Sequence, residues 1–213
     1  MGSIWVIFPR CLPGAYSIDV QIIIIARTLL FSPSTQTTTF LPRLNATMTD
    51  LKGTIIVTGA NGGLGSATVS QIISSPQLNA SYHGVYTVRN AATAHSLDAA
   101  LVDRGSLRSP QRRNSASSHS YEKISLDLSQ LSNVRKVAAE INERVAAGII
   151  PRIHAIVLNA GYEEFEKQTW TEDGLDTTFT INYLSHWLLT VLLLQSMDRE
   201  AGRVLWISSW SHK

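Results

Sequence analysis

Eight residues constrain this chain more than any others: Thr58-Gly-Ala-Asn-Gly-Gly-Leu-Gly65. An apolar, β-branched run, Thr54-Ile-Ile-Val57, precedes them, and a stretch with helical patterning follows. A buried strand, a glycine-rich turn and a helix make a phosphate-binding entrance. Glycines let the backbone turn sharply and approach a pyrophosphate with no Cβ in the way. The helix then offers unpaired N–H groups and its positive dipole end. Gly59, Gly63 and Gly65 are spaced G-x-x-x-G-x-G, not G-x-G-x-x-G, and Ser66 stands where a P-loop needs lysine. Taken alone, the stretch also fits an ordinary glycine turn of an α/β protein.

The rest of the chain alternates strand and helix. Leu64, Thr68 and Ile72, with Val69 and Ile73 beside them, form one helical face that Pro76 ends. The next strand, Gly84–Val88, runs into Arg89-Asn90. In a dinucleotide fold the end of the second strand meets the adenosine ribose, where an acidic side chain accepts from a free 2′-OH. No Asp or Glu occurs between Asp50 and Asp98, and the planar guanidinium of Arg89 suits a 2′-phosphate instead. The expected cofactor is therefore NADP(H) rather than NAD(H).

Ala91–Leu101 predicts a second helix, and Tyr121–Leu128 a third strand ending at Asp127. Asp127 there either accepts from an adenine amino group or caps the following helix. In that helix Leu131, Val134, Val137, Ala138, Ile141 and Val145 share a face, with Ser129 or Ser132 as N-cap. Ile153–Leu158 reads as a parallel strand covered on both sides, followed at once by Asn159-Ala160-Gly161. Trp170–Met197 is the longest helix expected, capped by Thr171, with Leu175, Phe179, Leu184, Leu188, Val191 and Leu192 buried. His186 and Trp187 read as packing residues. Asn182, a polar residue in an apolar helix, either braces the core or serves chemistry. Arg203–Ile207 forms a fifth strand closed by Ser208-Ser209. The expectation is an α/β fold with a parallel sheet of order 3-2-1-4-5, helices on both faces, and a crevice between strands one and four.

Residues 1–47 differ from this pattern. They hold three Arg, one acidic residue (Asp19), four of the seven prolines and a Ser/Thr tract. Their most apolar run, Val20–Phe31, is shorter than the roughly 20 residues a spanning helix needs, so no membrane span is expected. Met48 is the expected start of the domain, with 1–47 a disordered or spurious leader; the alternative is a mitochondrial presequence. The expected location is otherwise cytoplasmic. Residues 103–120 read as a basic, Ser-rich loop insertion. A net charge of only +2 argues against a dedicated nucleic-acid binder. A single cysteine, Cys11, excludes an internal disulfide and a cysteine metal cluster, and no metal site is expected.

Five ordered motifs, Thr58–Gly65, Asp127-Leu128, Asn159-Ala-Gly161, Asn182 and Ser208-Ser209, make residues 48–213 similar to the short-chain dehydrogenase/reductase family. Val88-Arg89-Asn90 and Glu172 to Thr190 resemble its retinol-dehydrogenase-like branch. The resemblance implies a Rossmann-type fold and hydride transfer between a small-molecule carbonyl/alcohol pair and NADP(H). It implies that Gly59, Asn61, Gly63, Leu64 and Gly65 cradle the pyrophosphate and Arg89 the 2′-phosphate. Asp127 would contact adenine, and Asn159, Ala160 and Gly161 would line the cofactor. Asn182 would hold a water in a proton relay, and Ser209 (with Ser208 as fallback) would hydrogen-bond the substrate carbonyl. The family's acid/base Tyr-x-x-x-Lys pair has no counterpart before the chain ends at Lys213. The expectation is thus a C-terminally truncated form; its alternative is a catalytically inactive remnant that binds nucleotide or a full-length partner. Homo-oligomer formation is left open.

Overall fold

A computed structural model of the chain describes residues 51–101 and 119–208. The leader with Cys11, most of the 103–120 insertion, Ser209 and Lys213 lie outside the described residues.

Five parallel strands, β1 (Gly53–Val57), β2 (Tyr82–Val88), β3 (Tyr121–Ser125), β4 (Ile153–Leu158) and β5 (Arg203–Trp206), form one sheet of order β3-β2-β1-β4-β5. This is the expected order. β1 is buried along its whole length, as a central parallel strand must be, and its β-branched side chains suit that environment. Alternate residues feed opposite cores. Ile55 and Val57 join Val69, Ile72, Tyr86, Val88 and Leu97 on one side. Ile56 joins Val85, Val134, Ile141, Ile156 and Leu189 on the other. The first core is covered by α1 (Gly63–Ser74), α2 (Pro76–Ser81) and α3 (His95–Leu101). The second is covered by α4 (Leu131–Ala146) and by a composite helix α5, Thr177–Ser196.

Several local expectations need refinement or correction. Pro76 ends α1 but also opens α2 at its first turn, where its missing N–H costs nothing; Ser75 caps that turn by accepting from Leu78 N–H. Ala91–Leu101 is not one helix, because a 3₁₀ turn over Ala91–Thr93 precedes α3. Neither Ser129 nor Ser132 caps α4. Gln130 holds that position with no side-chain bond, while the Ser129 N–H and hydroxyl both donate to Asp127 Oδ1.

The longest helix starts at Thr177, not Trp170. Gly174 sits at φ +70°, turning the chain back, and Asp176 caps by accepting from Phe179 N–H. α5 then widens to a π-helix over Thr180–Leu184 before resuming as α over Ser185–Leu193 and tightening to 3₁₀ over Leu194–Ser196. A π turn takes more residues than an α turn and so shifts the phase of everything after it. Hence Val191, expected inside, is 43% exposed, while Ile181, Ser185, His186 and Leu189 face the core. Phe179, also expected inside, is 49% exposed and lies in the turn before the π segment. α5 is apolar and long enough to cross a bilayer by length and composition alone, and its Ile181, Leu189 and Leu193 side chains pack into the second core.

Candidate functional site

The carboxyl ends of β1, β2 and β4 open into a cleft of about 640 Å³. It lies where the strand order reverses between β1 and β4, the position at which open α/β sheets receive ligands. Its walls include Gly59, Asn61, Gly63, Leu64 and Gly65 after β1, Arg89 after β2, Asp127 after β3, and Asn159, Ala160 and Gly161 after β4. Thr87, Val88, Asn90, Thr93, Leu126, Leu128 and Ile181 also line it; Val88, Asn90 and Leu128 belong to motifs noted in the sequence, and the other four were not singled out there. Most of these could have been found by counting on from the strand ends.

The glycines of the turn answer to different demands. Gly59 has φ +64°, and a Cβ there would lie 2.7 Å from Ala160 Cα. A Cβ on Gly65 would overlap the Gly59 carbonyl oxygen and come within 2.9 Å of Ala60 Cα. Both are required by the protein's own packing. Gly63 is not: a Cβ there would meet nothing within 4 Å. It opens α1, whose N-cap Gly62 provides no side chain and whose first turn holds no acidic residue. The first N–H groups of α1 therefore face the cleft without a side-chain acceptor, which suits an anion. Asn61 braces the turn, its Oδ1 accepting from Leu97 N–H at 3.1 Å.

Arg89 and Asp127 are the charged residues of the lining among the described residues, and Arg89 makes no ion pair there. Asn90 closes a small turn by accepting from Ala92 N–H at 2.9 Å. Asp127 is held through its backbone, whose N–H donates to Asn133 Oδ1 at 2.8 Å.

The β1 and β4 ends are tied together by Thr58, which is fully buried. Its Oγ1 accepts from Asn159 N–H at 2.9 Å and from Ala160 N–H at 3.0 Å, and lies 3.1 Å from His186 Nε2. The Asn159 side chain returns the link, donating to Thr58 O at 3.0 Å. Asn182, in the π segment, bonds the backbone of Tyr162, one residue past the Asn-Ala-Gly turn. His186 is buried, and that burial pushes its imidazole down to about 4 despite a hydrogen bond to the Asn182 carbonyl, so it is neutral at pH 7. Ser208 is exposed just past β5. Thr58 and His186 carried no expectation of this kind, and no signal in one sequence pairs residues so far apart.

A family model described as short chain dehydrogenase matches residues 53–213. Among curated proteins, the chain is 48% identical over 162 residues to short-chain dehydrogenase iccH of Talaromyces variabilis, covering 76% of this chain and 42% of that protein. It is 31% identical over 160 residues to human retinol dehydrogenase 13, covering 75% and 42%. It is also 32% identical over 168 residues to the WW domain-containing oxidoreductase of Drosophila melanogaster, covering 77% and 35%. The chain thus spans less than half the length of these relatives. A solved metagenomic short-chain oxidoreductase in complex with NADP aligns at 21% identity and a TM-score of 0.49, covering 69% of this chain and 56% of that one. With the family model matching from β1 to Lys213, the chain belongs to the short-chain dehydrogenase family of oxidoreductases.

Proposed function

We propose that the cleft binds NADP(H), and that the protein to which this chain belongs interconverts a carbonyl and an alcohol by hydride transfer. The observation that carries the cofactor choice is Arg89. It stands in the cleft wall just past β2, unpaired among the described residues, where a 2′-OH-binding protein would place a carboxylate. Gly63 supports the phosphate end, since no neighbour among the described residues requires it to lack a side chain.

The residues fit a dinucleotide in three parts. The N–H groups opening α1 would take the pyrophosphate, Arg89 the 2′-phosphate, and the Asn159-Ala160-Gly161 turn the nicotinamide half. Bound there, the cofactor would supply or accept the hydride. Within these 213 residues no Tyr stands four positions before a Lys, so nucleotide binding is the part of the reaction that the described residues serve.

Titration of the purified chain with NADPH and NADH tests the reading. Arg89→Asp should weaken NADPH at least about tenfold, the equivalent of about 1.4 kcal/mol, while NADH changes little. Equal loss of both would refute the 2′-phosphate role, and no binding of either would refute the site. Carbonyl-dependent oxidation of NADPH, followed by absorbance across aldehydes and ketones, tests the reaction. NADPH binding without turnover, together with a genuine stop after the codon for Lys213, would favour a nucleotide-binding remnant; a reading frame that continues into a Tyr-x-x-x-Lys segment would favour the oxidoreductase.

A further inference from the structure

We infer that His186 is a positioning residue for the nucleotide cleft: its Nε2 receives the Thr58 hydroxyl proton, leaving both lone pairs of Thr58 Oγ1 to hold the Asn159 and Ala160 N–H groups. The inference rests on the dinucleotide reading only for its consequence on binding; its geometry stands apart from that reading.

A threonine hydroxyl has one proton to give and two lone pairs to receive with. At Thr58 both lone pairs are engaged by donors, Asn159 N–H at 2.9 Å and Ala160 N–H at 3.0 Å. The single proton has two neighbours that could accept it. The Val157 carbonyl lies 3.4 Å away and already accepts from Thr58's own N–H at 2.9 Å. His186 Nε2 lies closer, at 3.1 Å. Were Nε2 protonated, three N–H donors would converge on an oxygen with two lone pairs, and one buried donor would be left over.

The other ring nitrogen completes the assignment. Nδ1 lies 3.4 Å from the Asn182 carbonyl oxygen, an acceptor only, so Nδ1 carries the proton. Trp206 closes the pocket edge-on at 5.9 Å between ring centroids. One imidazole in one tautomer therefore joins the end of β1, the turn after β4 and the π segment of α5. Asn159 and Ala160 are cleft-lining residues, so their backbone position is the property His186 controls.

The test uses the whole chain. Imidazole ¹⁵N shifts of ¹⁵N-histidine-labelled protein at pH 7 should show His186 with Nε2 bare and Nδ1 protonated; the opposite tautomer or a charged ring overturns the inference. This measurement needs neither a variant nor a nucleotide. His186→Leu should speed amide hydrogen exchange at Asn159 and Ala160 and weaken NADPH by about tenfold each. His186→Gln, which keeps an acceptor in place of Nε2, should restore both to within about threefold of the parent. A leucine variant matching the parent in exchange, or a glutamine variant that fails as the leucine one does, overturns the inference. If the parent chain binds neither NADPH nor NADH, the dinucleotide reading fails alone, and tautomer and exchange still decide the role of His186.

Discussion

Asn182 grips both polar groups of the Tyr162 backbone, its Oδ1 accepting from the N–H at 2.8 Å and its Nδ2 donating to the C=O at 2.7 Å. The amide thereby mimics a strand partner for a single residue and pins the loop after β4 to α5. The π segment that carries Asn182 sets its phase, since five residues are wound where an α-helix would hold fewer. Bulges of this type recur at functional sites because they re-aim one side chain without breaking the helix.

Asn182→Ala leaves a half-buried N–H and C=O of Tyr162 without their partner. The expected loss is about 1–2 kcal/mol of stability, measured by urea unfolding. Asn182→Asp keeps the acceptor and loses the donor, so it should fall between the parent and the alanine variant. An alanine variant as stable as the parent would show that the Tyr162 clamp contributes nothing.

The two glycines at the start of α1 should separate under the same substitution. Gly65→Ala forces a methyl group into the Gly59 carbonyl and the Ala60 backbone, which cannot retreat as a flexible side chain would. It should cost at least about 2–3 kcal/mol and lower the melting temperature. Gly63→Ala meets open space and should melt within a degree or two of the parent or above it, since alanine favours a helix. Its effect should appear in NADPH affinity instead. Equal melting temperatures for both variants would contradict the packing described here.

Acid should destabilise the chain through its buried histidines. Burial lowers His186 to about 4 from an ordinary 6.5, and burial is also the main cause that lowers His119. Between those values the unfolded chain binds more protons than the folded one, so stability is full above pH 6.5 and falls as pH drops toward 4. The His186 share lost by pH 5 is roughly 2 kcal/mol. Urea unfolding at pH 7 and pH 5 checks this: the difference should shrink by about that amount in His186→Gln. An unchanged difference would assign the acid sensitivity to other groups.

Glu122 joins β3 to α4 and to β2. Its Oε1 lies 3.3 Å from His83 Nε2, and its Oε2 accepts from Arg144 Nη1. Burial raises the Glu122 carboxyl, but the hydrogen bonds and charge from His83 and Arg144 outweigh it and hold the group below the ordinary carboxylate value. Its contribution is therefore present above pH 4.5 and is lost as pH falls through the lowered folded value. Glu122→Ala at pH 7 should cost about 1–2 kcal/mol, discounted for the partial exposure of the pair. Glu122→Gln keeps an acceptor and should cost less.

The strand ends were legible because the central strands β1, β2 and β4 are short, largely buried runs, each followed by a residue of distinctive chemistry: Gly59 after β1, Arg89 after β2, Asn159 after β4. What failed was phase. Helical periodicity assumes one pitch, and the π turn at Thr180–Leu184 changes it, so Val191 and Trp187, both expected to pack, lie half outside, whereas His186 is buried as expected. The start of α5 was misplaced for a related reason. Thr171 offered a plausible cap, but Gly174 turned the chain and Asp176 took the capping role. The Thr58–His186 contact was out of reach altogether, since its partners are 128 positions apart and joined only by the β1–β4 pairing and the seating of α5.

The bond from Asn159 N–H to Thr58 Oγ1 spans 101 positions, and this separation fixes when the cleft comes into being. A growing or refolding chain that has zipped β1, β2 and β3 together owns the glycine turn and Arg89 but not the opposite wall. Closing so long a loop costs more entropy than pairing β1 with β2 or β2 with β3, so the β1–β4 pairing and the wall it completes are expected after those pairings, an order that pulsed hydrogen exchange at the β1 and β4 amides would check. With the cofactor reading proposed above, nucleotide present during refolding would grip only molecules that have passed that point, and would slow reopening of the β1–β4 seam while leaving the earlier β1–β3 assembly untouched.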